Sequence, residues 1–88
     1  MMTYVIYDIE SDKVRGKVME VCKDYGLEHI QFSAFCGFLS RNKGEELFAR
    51  LCEKLGDKLK GKIIVQAVCD RCRKEALIKV NEAEAPTP

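Results

Sequence analysis

The stretch Tyr4-Val5-Ile6-Tyr7-Asp8-Ile9 limits the fold of this chain more than any other. An unbroken run of β-branched and aromatic residues favours a buried strand. Alternate side chains of a strand share a face, so Tyr4, Ile6 and Asp8 point one way and Val5, Tyr7 and Ile9 the other. Both faces are mostly apolar, so both need cover. Asp8 falls where the strand meets the next loop. There it can begin a turn and cap a backbone N–H, or reach out to a metal ion.

Such a strand needs neighbours, and the chain has few residues to spare. Its 88 residues make one domain, expected over 1–80, whose own core gives limited stability and so favours oligomerisation. No apolar run reaches membrane-spanning length, and the N-terminus lacks the basic region and cleavage site of a signal peptide. The expectation is a cytoplasmic protein with no membrane partner. Lys and Arg number 15 against 14 Asp and Glu, so the net charge is only +1. Nucleic-acid binding would therefore need a locally basic surface. An odd number of cysteines, 5, without a secretion signal argues against a disulfide scaffold.

Helical periodicity takes over after the first strand. Ser11 is placed to cap a helix whose apolar stripe is Val14, Val18, Val21, Cys22 and Tyr25, and Gly26 stops it. From Leu27 to Leu39 apolar and polar residues alternate, giving one or two strands, and Gly37 is the expected point of division. Leu47, Phe48, Leu51, Cys52 and Leu55 form a second helical stripe ended by Gly56. Its cap is either Asn42, in a loose capping box with Glu45, or Ser40. A basic turn, Lys58 to Lys62, leads into a strand from Ile63 to Val68. Cys69 to Lys74 then reads as a polar link, Ala76 to Val80 as a short final strand, and 81–88 as a disordered acidic tail.

This order is α+β: a ferredoxin-like βαββαβ arrangement plus a short C-terminal strand. Two helices cover one sheet face only. Sheet-to-sheet homodimerisation, or exchange of the last strand, would cover the other, and would bring two copies of Asp8 together.

Tyr7-Asp8-Ile9, Asp12, Arg15, Tyr25-Gly26-Leu27 and above all Ile30-Gln31-Phe32-Ser33-Ala34-Phe35 resemble the small CRISPR-associated adaptation family Cas-two, from about residue 4 to residue 80. The resemblance implies a homodimeric metal-dependent endonuclease. Members cut single-stranded RNA or double-stranded DNA and work beside the Cas-one integrase in spacer acquisition. It places the catalytic, Mg²⁺-binding carboxylate at Asp8 (Mn²⁺ being an alternative ion), with its pair from the second subunit. Arg15, Lys17, Ser33 and Phe35 fall at positions associated with the nucleic acid. His29 stands where the family commonly has Arg or Lys, and Phe32 where Tyr is common. A non-catalytic, architectural DNA-binding dimer bridging integrase subunits is the competing reading.

Other residues carry chemistry with a plainer alternative. Asp12 suits a helix N-terminus as a dipole-stabilising charge. His29 is a candidate for proton transfer or a strand-edge bystander. Cys69 and Cys72 have the spacing of a zinc or redox pair, though one pair supplies half of a zinc site. Cys22, Cys36 and Cys52 read as core. Phe32 and Phe35 differ in strand parity, so one stacks on bases at most while the other packs inside. Lys58, Lys60, Lys62, Arg71, Arg73 and Lys74 form either a phosphate-contacting surface or solvated loops.

Overall fold

In the computed structural model, which describes residues 1–81, the strand expected at Tyr4–Ile9 runs from Met2 to Ile9 (β1). There follow α1 (Asp12–Asp24), β2 (Glu28–Gln31), β3 (Ala34–Phe38), α2 (Arg41–Leu55), β4 (Gly61–Val68) and α3 (Asp70–Lys74). The strands form a 4-stranded antiparallel sheet in the order β2-β3-β1-β4, with β1 inside and β4 at an edge. This is the expected ferredoxin-like arrangement.

The split between the faces of β1 follows strand parity. Val5, Tyr7 and Ile9 are buried, while Ile6 and Asp8 are exposed. The buried face packs against Val14, Val18, Val21 and Cys22 of α1, Leu47 and Leu51 of α2, and Phe35 of β3. Ser11 caps α1, its hydroxyl accepting from Val14 N at 3.2 Å. At the far end Gly26 N donates to Lys23 O at 2.9 Å and Leu27 N to Cys22 O at 3.1 Å. That paired closure needs a left-handed residue, and Gly26 supplies it with φ of 77°.

Several expectations change. The division within Leu27–Leu39 falls at Phe32–Ser33, not at Gly37. Gly37 lies within β3, where a Cβ would come within 2.7 Å of the Leu27 side chain, so it is a close-approach glycine. The irregularity in pairing lies between His29 and Gln31. Ser40, not Asn42, caps α2, accepting from Lys43 N at 3.1 Å. Cys52 is exposed rather than core, because Leu47 and Leu51 centre the buried stripe and Cys52 lies off it. The expected polar link contains a short helix, α3. Ala76–Val80 is not a strand in the single chain, and Leu77, Ile78 and Val80 are exposed. A strand needs a partner for its backbone hydrogen bonds, and in the single chain this segment pairs with neither edge of the sheet. The acidic tail expected to be disordered lies beyond the described residues after Asn81.

One sheet face remains bare. Along β1 and β4, Tyr4 pairs with Gln66, Ile6 with Ile64 and Asp8 with Lys62, all on the side away from the helices. Phe38 of β3 joins them, with the Arg73 guanidinium of α3 over its ring at 5.5 Å.

Candidate functional site

The C-terminal end of β1 gathers the chemistry. Asp8 is exposed on the bare face and sits directly across from Lys62 of β4. Asp8, Glu10, Lys60, Gly61 and Lys62 line an open depression there. Gly61 pairs with buried Ile9, and a Cβ there would come within 2.9 Å of Leu55 Cδ1 on the core side. Two carboxylates and two ammonium groups thus share one end of two neighbouring strands.

Arg15 braces this end from the helical side. Its Nη1 donates to Ile9 O at 2.7 Å, its Nη2 pairs with Asp12, and its guanidinium stands 5.8 Å from the centre of the Phe32 ring. Asp12 is therefore an ion-pair partner as well as a first-turn acid. The Phe32–Ser33 turn is held to the same end. Tyr7 N donates to Ser33 O at 3.1 Å, and Phe32 O accepts from the Tyr7 hydroxyl at 3.4 Å and from His29 Nε2 at 3.2 Å. His29 thus holds a turn. Burial, above the smaller effects of Cys22 and Arg15, pushes the Tyr7 phenol pKa up, so the hydroxyl keeps its proton as a donor.

The two phenylalanines part company. Phe35 is fully buried, stacked between Tyr7 (ring centres 6.4 Å apart) and His29 (4.4 Å). A ring with no exposed surface has no face to offer a nucleic acid, so the expected contact at Phe35 is replaced by a core role. Phe32 is 77% exposed. Asp8, Arg15 and Ser33 are brought to one end of the sheet. Lys17 is exposed on α1, in the helical layer, and makes no ion pair among the described residues. The basic residues do not form one surface. Lys58, Lys60 and Lys62 precede or begin β4, whereas Arg71, Arg73 and Lys74 follow it, about 25 Å away along an 8-residue strand.

Glu10 and the pairing of Lys62 with Asp8 were missed by sequence reasoning. Glu10 had no signal of its own, and the pairing depends on a register that a local pattern does not fix. Among the described residues no three His, Cys, Asp or Glu side chains cluster to hold a metal ion. Asp8 and Glu10 supply the hard oxygen donors that Mg²⁺ takes, yet one chain offers too few for a complete protein site. Cys69 caps α3, accepting from Cys72 N at 3.5 Å. That hydrogen bond draws the Cys69 thiol pKa down, while the Cys72 thiol is pushed up by its bond to Cys69 and by the Cys69 charge.

Fold and site together define a class: a small ferredoxin-like α+β protein whose bare sheet face ends in a carboxylate flanked by lysines. Residues 1–76 match the sequence model of the family CRISPR associated protein Cas2, and the chain belongs to that family. A relative from Desulforudis audaxviator, named CRISPR-associated endoribonuclease Cas2, is 51% identical over 71 residues, covering 81% of this chain and 66% of its own. The chain thus spans just under two thirds of that relative's length. A protein from Thermoproteus tenax named CRISPR-associated endonuclease Cas1/endonuclease Cas2 fusion is 43% identical over 51 residues, 58% of this chain and 19% of that one. The crystal structure of Streptococcus pyogenes Cas2 superposes with a TM-score of 0.72 at 21% identity, covering 91% of this chain and 100% of that chain, which establishes the shared fold.

Proposed function

We propose that this chain is a metal-dependent endonuclease of CRISPR adaptation, hydrolysing phosphodiester bonds of single-stranded RNA or duplex DNA as a homodimer. The observation that carries this reading is Asp8, exposed at the end of the bare sheet face with Lys62 beside it. The apolar side chains of that face, Ile6, Ile64 and Phe38, favour cover by a second copy, and two sheets face to face can bring two Asp8 carboxylates together. The exposed Leu77, Ile78 and Val80 give the dimer a further apolar segment to seat, with the β4 edge as its acceptor.

Asp8 from each subunit would hold Mg²⁺, or Mn²⁺, with Glu10 in reserve as a second oxygen donor. When bound, such an ion polarises a phosphoryl group and the water that attacks it. Lys62 and Lys60 neutralise the substrate phosphate beside the carboxylate. Arg15 acts by position, fixing the Ile9 carbonyl and so the strand end that carries Asp8. Ser33 takes part through the turn it shares with Phe32. Lys17 is left to contact nucleic acid at a distance from the carboxylate.

The test compares the wild type with Asp8→Asn, each with Mg²⁺ and with chelator, on labelled RNA and duplex DNA, after both are shown to be dimers. Cleavage is expected to fall about 100-fold or more in the variant and to vanish in chelator. Equal cleavage by both proteins would overturn the assignment. A second reading rests on the Thermoproteus tenax protein, in which Cas1 and Cas2 are one chain. Here the dimer bridges Cas1 integrase subunits and duplex DNA without catalysis. Absence of cleavage by either protein, with duplex binding retained, would favour it.

A further inference from the structure

The structure assigns Phe32 a role of its own: we infer that its ring is a stacking platform for one unpaired base of a single-stranded nucleic acid, next to the strand end that carries Asp8. This rests on the nucleic-acid reading above and adds the subsite that selects single strands.

Three observations converge. The ring is 77% exposed at the tip of a turn, where a phenylalanine gains little from burial. The turn is nevertheless pinned, by Tyr7 N on Ser33 O and by the Tyr7 hydroxyl and His29 Nε2 on Phe32 O. An exposed ring on an anchored backbone loses little freedom when a base settles on it. The Arg15 guanidinium, itself bonded to Ile9 O, stands over the ring at 5.8 Å. It adds positive charge beside one ring face and leaves the ring accessible.

Register then locates the platform. β1 and β3 pair Ile6 with Ala34, and Tyr7 N reaches Ser33 O one step further on. There the chain reverses, Gln31 pairing with Ala34, so Phe32 stands in the β2–β3 turn near the end of β1, its carbonyl on the Tyr7 hydroxyl and its ring by Arg15. The end of β1 therefore has Lys62 beside it on β4 and the Phe32–Ser33 turn on its β3 side. A phosphate drawn by Lys62 and a base stacked on Phe32 would carry a single strand around the end of β1 that bears Asp8. A base held in a duplex stack cannot lie on the ring, so the platform discriminates by strandedness and tolerates any base.

Fluorescence anisotropy in chelator, on the full chain, tests this with labelled oligouridine, a single-stranded DNA of equal length and a duplex of that length. Phe32→Ala is expected to weaken both single strands about ten-fold, to leave the duplex unchanged, and to be rescued by Phe32→Tyr. Emission of 2-aminopurine in the single strand should be quenched by the wild type and not by Phe32→Ala. Unchanged single-strand affinity in Phe32→Ala, an equal loss on duplex, or a wild type that binds no single strand would each overturn the proposal. Failure of the nuclease reading is seen separately: Asp8→Asn that cleaves like the wild type sinks that reading, while the Phe32 effect on binding stands or falls in chelator.

Discussion

Single residues in this chain often act away from where their type would suggest. Arg15 looked like a phosphate ligand and is a brace between Ile9, Asp12 and Phe32. His29, a proton carrier or a strand-edge bystander by its type and place, bonds the Phe32 carbonyl and stacks on Phe35. Cys22 carries the most direct residue-scale prediction. Its burial pushes the thiol from 9.0 to about 11. Between those values the unfolded chain gives up a proton that the folded chain retains. Stability is therefore unaffected below pH 9 and falls as pH rises toward 11. Tyr7, raised by burial, acts in the same direction at higher pH. Urea midpoints measured from pH 7 to 11 should decline over this window, and Cys22→Val should flatten the decline while Tyr7 leaves a residual slope. Parallel curves for the two proteins would exclude Cys22 as the titrating group.

Capping governs the elements. Ser11 and Ser40 each hold an extended backbone and accept from the N–H three residues on. Ser40→Ala should cost about 1 kcal/mol, lowering Tm by roughly 5 °C in a domain of this size. Asn42→Ala should change Tm little, because Asn42 is already inside the helix and exposed. Thermal melts of both variants decide between the two caps; a larger loss at Asn42 would reverse the assignment. The pattern at Ser11, with its stripe and glycine stop, was fully legible because α1 obeys local rules at both ends. The break at Phe32–Ser33 was not, because it carries no Gly, Pro, Asn or Asp and sits within an alternating run. The turn is imposed by β1, which pairs with β3 and takes the Ser33 carbonyl.

At the scale of the molecule, the proposed assembly rests on the bare sheet face. Ile6 and Ile64 face each other across β1 and β4, each nearly half exposed in the single chain. Dimerisation over this face predicts that Ile6→Glu reduces the mass in light scattering from dimer to monomer and lowers Tm. A dimer that survives with unchanged affinity would place the interface elsewhere. Core changes give the contrast. Leu51→Ala, at a fully buried site, should cost about 2–5 kcal/mol, read as a lower urea midpoint.

The sequence by itself determined the strands β1 and β4, the two long helices with their stops, the residues that share a face of β1 with Asp8 and the family resemblance. Each of these follows from periods of two or of about 3.6 residues and from short motifs, which are local. Tertiary structure decided which residues meet. Lys62 faces Asp8 because of one strand register, Phe32 is exposed while Phe35 is buried because a turn separates them, and the two lysine-rich and arginine-rich clusters part because a whole strand lies between them. Ala76–Val80 keeps its strand-like pattern without forming a strand in the single chain, since backbone hydrogen bonds must come from a neighbour and no span of sequence can supply one to itself.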